Sequence, residues 1–174
     1  MRVSFCIPTH DGNARCQNYL FDIFHALSQQ TNKDFNVWIS DHSKSNKVLQ
    51  ACQEYADLFE INYIKNTNKY GNISANTNHA LQHGDGDILK VLFSDDFILT
   101  RSLVAELDKS FTDDVKWAVT GYAHTVDDGQ THYNPKVPFY NDRLLEGVNT
   151  LSSPSILALK RGIDMYFDEE LTML

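Results

Sequence analysis

The sequence has no long hydrophobic run, no excess of basic residues and few cysteines, glycines or prolines, and each shortage excludes something. No stretch approaches the ~20 apolar residues of a membrane span. The apolar run Val3 to Ile7 is too short for a signal peptide and reads as a strand that starts almost at once. A net charge of −8 argues against non-specific nucleic-acid binding, which needs a basic surface. It leaves a phosphate ligand open, because a metal ion supplies positive charge locally. Three cysteines, Cys6, Cys16 and Cys52, are odd in number and lack metal-ligand spacing, so they read as free thiols in a reducing cytoplasm. With 8 Gly and 4 Pro the chain is neither collagen-like nor low-complexity. No G-x-S-x-G, Walker A or G-x-G-x-x-G pattern occurs, which weakens hydrolase, P-loop and dinucleotide-binding readings.

What is present suits one domain: 174 residues, 42% hydrophobic, enough to bury a core. Short β-rich runs alternate with helical spacing. Val3 to Ile7, Phe35 to Ile39, Ile61 to Ile64 and Ile88 to Phe93 read as strands, the last apolar enough to be buried on both faces. Between them, Leu20, Ile23, Phe24 and Leu27 recur at helical period, as do Val48, Cys52, Tyr55, Ala56 and Phe59. Ile73, Thr77, Ala80 and Leu81 mark a third helix that ends at His83-Gly84-Asp85-Gly86. This βαβαβαβ order implies a mostly parallel sheet with helices on both faces and the strands' C-terminal ends along one edge, where ligands bind. Later, Leu103, Val104 and Leu107 suggest a helix, Trp117 to Thr120 a strand, and Asp127-Asp128-Gly129 the turn of a hairpin. Ser153 to Leu159 reads as a late strand, and Asp164 to Leu174 as a loop leading into a helix.

The predicted ligand edge carries Pro8-Thr9-His10, Asp41 and Asp95-Asp96. Two adjacent carboxylates after a buried strand repel each other, and a hard divalent cation, Mg²⁺ or Mn²⁺, stabilises them. The alternative is a solvated turn that caps the next segment. Asp41 can accept hydrogen bonds from a base or ribose, or form an Asx turn in Ser40-Asp41-His42-Ser43. The amide-rich stretch from Asn66 through Asn68, Gly71 and Asn76 to Asn78 offers uncharged donors and acceptors suited to a sugar nucleotide. Asn76 and Asn78, two apart, cannot share one helical face, so at most one meets the ligand. The seven histidines read as surface or core fillers, with His10 and His42 on the ligand edge.

Taken in order, these segments resemble family 2 glycosyltransferases. Val3 through Pro8-Thr9 is similar to that family's first strand and its Pro-Thr or Pro-Ser turn. Val37-Trp38-Ile39-Ser40-Asp41 is similar to the second strand, whose terminal Asp contacts the nucleobase. Gly86 through Asp95-Asp96 resembles the strand that leads to the metal-binding D-x-D region, although Phe93 or Ser94 stands where its first acid would be. The match runs through about residues 1–100, with a weaker echo at Ser153-Pro154-Ser155 and Phe167-Asp168-Glu169-Glu170-Leu171. The resemblance implies a GT-A-like three-layer α/β/α sandwich. It implies residues 1–174 as one domain, 1–100 binding nucleotide and 101–174 forming an incomplete acceptor side.

It further implies transfer of a sugar from a UDP-sugar to a glycan, lipid-linked or other hydroxyl acceptor, with inversion. Metal, Mn²⁺ or Mg²⁺, would sit on Asp95 and Asp96. Pro8, Thr9, His10, Asp41, Asn68, Gly71, Asn78, Ser94 and Asp95 would meet the donor. The family's base lies several residues beyond an F-D-E-type segment, and this sequence stops at Leu174. Either Asp168, Glu169 or Glu170 is then the base, or the base lies outside the chain; acids at a helix N-terminus are the other reading of the three. Two further functions stay open: a domain that binds a nucleotide sugar without transferring it, and a nucleotidyltransferase. The second is weakened by the lack of a Gly-rich basic phosphate loop.

Overall fold

The computed structural model describes residues 1–12, 15–126, 133, 135–139, 141–144, 146 and 148–170. Strand β1 (Val3–Thr9) is buried along its whole length and forms the middle of the sheet. It pairs in parallel with β2 (Phe35–Asp41) on one side and with β4 (Ile88–Val91) on the other. Strand β3 (Ile61–Lys65) pairs in parallel with β2 and is only half-buried, as expected of an edge. Two antiparallel strands, β6 (Leu157–Lys160) against β4 and β5 (Trp117–Val119) against β6, complete a six-stranded sheet in the order β3-β2-β1-β4-β6-β5.

Helix α1 (Cys16–Ser28) buries Cys16, Leu20, Ile23, Phe24 and Leu27, one stripe at helical spacing. With α2 (Lys47–Tyr55) and α4 (Leu103–Ser110) it covers one face, packing on Phe5, Ile7, Val37, Ile39 and Ile88. Helix α3 (Ile73–His83) covers the other face, where Ala80 and Leu81 meet Cys6, Leu89, Val91 and Leu159. The three layers expected from the sequence are therefore present. Asn72 caps α3 by accepting from Ala75 N–H at 2.8 Å. All three cysteines are buried and unpaired, and burial pushes Cys16 up to about 11 and Cys52 up to about 12, which leaves them inert at neutral pH. Among the described residues no helix is long and apolar enough to cross a membrane.

Some boundaries move. β4 ends at Val91 rather than Phe93, because the Phe93 N–H turns to the Ser155 hydroxyl, 2.7 Å away. The late strand begins only at Leu157: Ser153 caps a 3₁₀ turn over Pro154–Ile156, where proline has no N–H to give a ladder. No helix forms between Asp164 and Glu170. There the Phe167 backbone is held by the Asn78 side chain through both its N–H and its C=O, at 2.8 Å each, and Asn72 takes the Glu169 carbonyl. Residues 171–174 and the Asp127-Asp128-Gly129 turn lie outside the described residues. Near that turn, Tyr122 and Lys136 form an antiparallel bridge.

The α3–β4 connection is tight. A Cβ on Gly86 would stand 2.8 Å from both the Arg2 carbonyl oxygen and the Ser4 nitrogen, backbone atoms of the central strand's start. The Gly86 N–H also donates to the Ser4 hydroxyl at 2.7 Å. Gly86→Ala is expected to destabilise the protein by about 1–3 kcal/mol, since backbone must move to admit the methyl group. Urea denaturation measures this as a lower midpoint with an unchanged slope.

Candidate active site at the switch point of the sheet

β1 is followed outward by β2 on one side and by β4 on the other, so the chain reverses direction across the sheet between β1 and β4. Loops that leave these strands diverge there and open a crevice. A cleft of about 370 Å³ lies at this point. Its walls come from Pro8 and Thr9 at the end of β1, from His10 and Gly12 after it, and from Cys16 and Tyr19 of α1. His42 after β2 and Gly71, Ile73 and Asn76 at the start of α3 form a second wall. Phe93, Ser94 and Asp95 after β4 close it. The volume falls within the range of small-molecule sites.

The floor is tied together by hydrogen bonds that converge on one carboxylate. Asp41 is fully buried, and its carboxylate takes four donors. Oδ1 accepts from the Ser43 N–H at 2.7 Å and the Thr9 hydroxyl at 3.3 Å. Oδ2 accepts from the Tyr63 hydroxyl at 2.7 Å and Lys65 Nζ at 3.1 Å. The expected contact of Asp41 with a base or ribose therefore meets a carboxylate whose lone pairs are already used, lying beneath the cleft rather than in it. Tyr63 is held above its ordinary pKa by burial and by this hydrogen bond. Asn76 joins three elements: its amide N donates to the Thr9 and Ser40 carbonyls, at 3.1 and 3.0 Å, while its Oδ1 accepts from the Ser40 hydroxyl at 2.6 Å.

The rim is aromatic and imidazole-rich. His10 Nδ1 accepts from the Gly12 N–H at 2.8 Å, which assigns the ring proton to Nε2, where it meets the Tyr70 hydroxyl at 2.9 Å. Tyr70 stands in a turn whose flanking residues, Lys69 (φ 47°) and Gly71 (φ 81°), are both left-handed. Its ring lies 5.9 Å from that of His42 and 5.3 Å beneath Lys44 Nζ. His42 is buried and donates to the Asn68 carbonyl at 3.0 Å; burial keeps its pKa below the ordinary value, so it is neutral near pH 7.

The two carboxylates after β4 are not equivalent. Asp95 is exposed and lines the cleft. Asp96 is half-buried, accepts from the Ser153 hydroxyl at 2.9 Å, and closes a turn through its N–H to the Phe93 carbonyl at 3.1 Å. Among the described residues no group of three or more acids, histidines or cysteines converges as a protein-only metal site. A Mg²⁺ or Mn²⁺ ion held by one carboxylate and by substrate phosphates does not need one, and Asp95 at the cleft wall suits that mode.

Of the donor-site residues expected from the sequence, Pro8, Thr9, His10, Gly71, Ser94 and Asp95 meet around this cleft. Asn68 lines a separate 170 Å³ recess with Lys69, His79 and Glu169. Asn78 faces the C-terminal segment, donating to the Phe167 carbonyl and to Glu169. Of Asn76 and Asn78, only Asn76 lines the cleft, on the same helical stripe as Ala80. None of Asp168, Glu169 and Glu170 lines the large cleft. Glu169 pairs with Lys69 at 2.8 Å, and hydrogen bonds from Asn78 and Lys69 hold its pKa below the usual carboxylate value. Cys16, read only as a free thiol, Ile73, read only as a helix marker, and Tyr19 line the cleft without having been read as site residues, since such residues at a helix start carry no local signal of a ligand. His79 and His83, four apart on α3, lie with ring centroids 4.4 Å apart and planes tilted by 48°, a spacing that the reading as fillers passes over.

A six-stranded, mostly parallel sheet with an acidic turn and an open cleft at its switch point has the architecture of the GT-A fold. The chain belongs to glycosyl transferase family 2, whose profile matches residues 4–165. A curated relative is the poly(ribitol-phosphate) beta-N-acetylglucosaminyltransferase TarS of Staphylococcus aureus, 24% identical over 180 residues that cover 98% of this chain and 30% of the relative. The crystal structure of S. aureus TarS 1-349 superposes with a TM-score of 0.69 at 20% identity, over 98% of this chain and 51% of that one. Its complex with UDP-GlcNAc gives 0.55 at 20% identity, over 63% of this chain and 30% of that one. The mannosyltransferase PcManGT of Pyrobaculum calidifontis, in complex with GDP-Man and Mn²⁺, gives 0.60 at 18% identity over 92% and 44%. The chain thus spans less than a third of the length of the curated relative it matches.

One carboxylate at the rim makes a pH prediction. Asp11 accepts from the backbone N–H groups of Lys44, at 3.1 Å, and Ser45, at 2.9 Å, tying the loop after β1 to that after β2. Hydrogen bonds from Ser45 and from the Lys44 N–H hold it down to about 2. Its folded pKa lies below the unfolded value of about 3.9, so its contribution is complete above pH ~4 and is lost as pH falls through about 2. Asp11→Asn is expected to be less stable than the parent at pH 5–7. The gap should close between pH ~4 and ~2 in denaturation midpoints measured across that range.

Proposed function

We propose that this chain transfers a sugar from a nucleoside-diphosphate sugar, UDP being the carrier, to an acceptor hydroxyl with inversion. The donor occupies the 370 Å³ cleft. The observation that carries this reading is the meeting of Asp95 with Thr9, His10 and Asn76 in that one cleft, at the sheet's switch point. Family membership supports the reaction class, and relatives whose structures contain UDP-GlcNAc or GDP-Man with Mn²⁺ support the donor class and the use of a divalent ion.

In this reading the base and ribose lie against the His10–Tyr70–His42 rim, whose rings offer faces for stacking. The backbone after β1 and the Asn76 side chain form a wall that stays fixed, because its hydrogen bonds are made before any ligand arrives. Asp95 is the carboxylate that holds Mn²⁺ or Mg²⁺. Such an ion, when bound, supplies charge stabilisation to the departing diphosphate. Asp96 keeps the turn in place through Ser153. Residues 1–100 bind the nucleotide and residues 101–174 belong to the acceptor side of the same domain. The acceptor loses its proton to a carboxylate. For that carboxylate to be Glu169 rather than Asp168 or Glu170, its bonds to Lys69 and Asn78 must first part.

Calorimetric titration with UDP, with and without Mn²⁺, tests the reading. Metal-dependent binding is expected, and no binding under either condition would overturn it. Asp95→Asn is expected to weaken UDP binding in Mn²⁺ by about tenfold or more, and Asp96→Asn by less. Release of UDP from a UDP-sugar marks transfer or hydrolysis. Binding without release marks a domain that only holds the donor, and pyrophosphate release would mark a nucleotidyltransferase.

A further inference from the structure

Among the described residues, Lys90 is the one lysine buried in the sheet. It sits in β4 in register with Phe5 and Ala158, both fully buried, where an aliphatic side chain would pack without an ionic cost. A buried ammonium costs several kcal/mol unless its donors are satisfied. Here they are: Nζ donates to the carbonyls of Val91 at 3.1 Å, Leu157 at 3.4 Å, and Ser155. Three carbonyls call for three N–H donors, which an ammonium has and a neutral amine does not. Burial nevertheless pushes Lys90 down to about 7.

Two of those carbonyls belong to the segment that holds the acidic turn. Ser155 lies in the 3₁₀ turn Pro154–Ile156, and its hydroxyl accepts the Phe93 N–H at 2.7 Å. The Phe93 carbonyl accepts the Asp96 N–H at 3.1 Å, and the Asp96 carboxylate accepts the Ser153 hydroxyl at 2.9 Å. The Ser153 hydroxyl in turn accepts the Ser155 N–H at 3.2 Å. The hydrogen bonds form a closed bracket: segment 153–157 grips the turn 93–96, and Lys90 fastens that segment to β4 from beneath.

We propose that Lys90 is the positioning residue of the acidic turn, its buried ammonium fixing the Ser153–Leu157 segment that sets where Asp95 points into the cleft. This rests on the reading that Asp95 meets the metal and diphosphate. Lys90 touches no substrate; it acts through Ser155 and Phe93. Because the bracket is local, its loss loosens residues 93–96 without loosening the central strand.

The test is residue-resolved amide hydrogen exchange of the full chain, in the parent, Lys90→Met and Ser155→Ala, combined with UDP titration in Mn²⁺. In Lys90→Met the Phe93 and Asp96 amides are expected to exchange about tenfold faster or more, while Phe5 and Ile7 in β1 stay within about twofold. UDP affinity in Mn²⁺ should fall by about 10–100-fold. Ser155→Ala should reproduce the local effect at Phe93 with Lys90 intact; if Lys90→Met does not fold, Lys90→Gln, which keeps an N–H donor pair but no ammonium, decides in its place on the same amides. Unchanged exchange at Phe93 and Asp96, or a rise shared equally by β1, would overturn the proposal, the latter showing a merely structural lysine. Local loosening with unchanged UDP affinity would also overturn it. If the parent binds no UDP, the donor-site reading falls, and local loosening would leave the bracket standing on its own.

Discussion

The cleft depends on one buried charge, the carboxylate of Asp41. A carboxylate with no exposed surface is costly in a protein interior unless every lone pair has a donor. Here the donors come from Thr9, the last residue of β1, from the turn after β2, and from β3 through Tyr63 and Lys65. Satisfying that charge fixes the C-terminal ends of three neighbouring strands relative to one another. The wall above inherits the geometry: His42 N–H donates to the Thr9 carbonyl, and Asn76 bonds to Thr9 and Ser40 together. A site that binds a flexible, charged ligand gains from such a floor, because no ordering cost is left for the moment of binding.

The same division of labour recurs on the other side of the switch point. Asp96 is committed to Ser153 and to its own turn, while its neighbour Asp95 is left facing the cleft. In both places one acid does structural work so that the polar groups beside it are held still. This is why adjacent or similar acidic residues in the sequence are poor guides to which of them meets a ligand.

Much of the fold was legible because it follows from periodicity. β1, β2, β3 and the three helices between the parallel strands are marked by apolar residues at spacings of two or of three and four. The ligand edge followed from the order of elements alone, and Pro8, Thr9, His10, Gly71, Ser94 and Asp95 do share the cleft. What was not legible depends on contacts distant in sequence. Asp41 carries the same local signal whether it meets a ribose or Tyr63 and Lys65. Asn76 and Asn78 differ only in helical phase, and the phase is set by how Ala80 and Leu81 seat on β1 and β4. The segment 164–170 has acids suited to a helix start, but side chains of α3 claim its backbone. Lys90 gives no hint within an apolar strand that carbonyls from residues 155 and 157 await it.

The most direct test of the account is a crystal structure of the chain with UDP and Mn²⁺, with anomalous scattering used to place the metal. The account predicts a Mn²⁺ ion between the Asp95 carboxylate and the diphosphate, with the base against His10 and Tyr70 and the Asp41 carboxylate still bound to its four donors. Nucleotide bound elsewhere on the surface, or metal held away from Asp95, would contradict it.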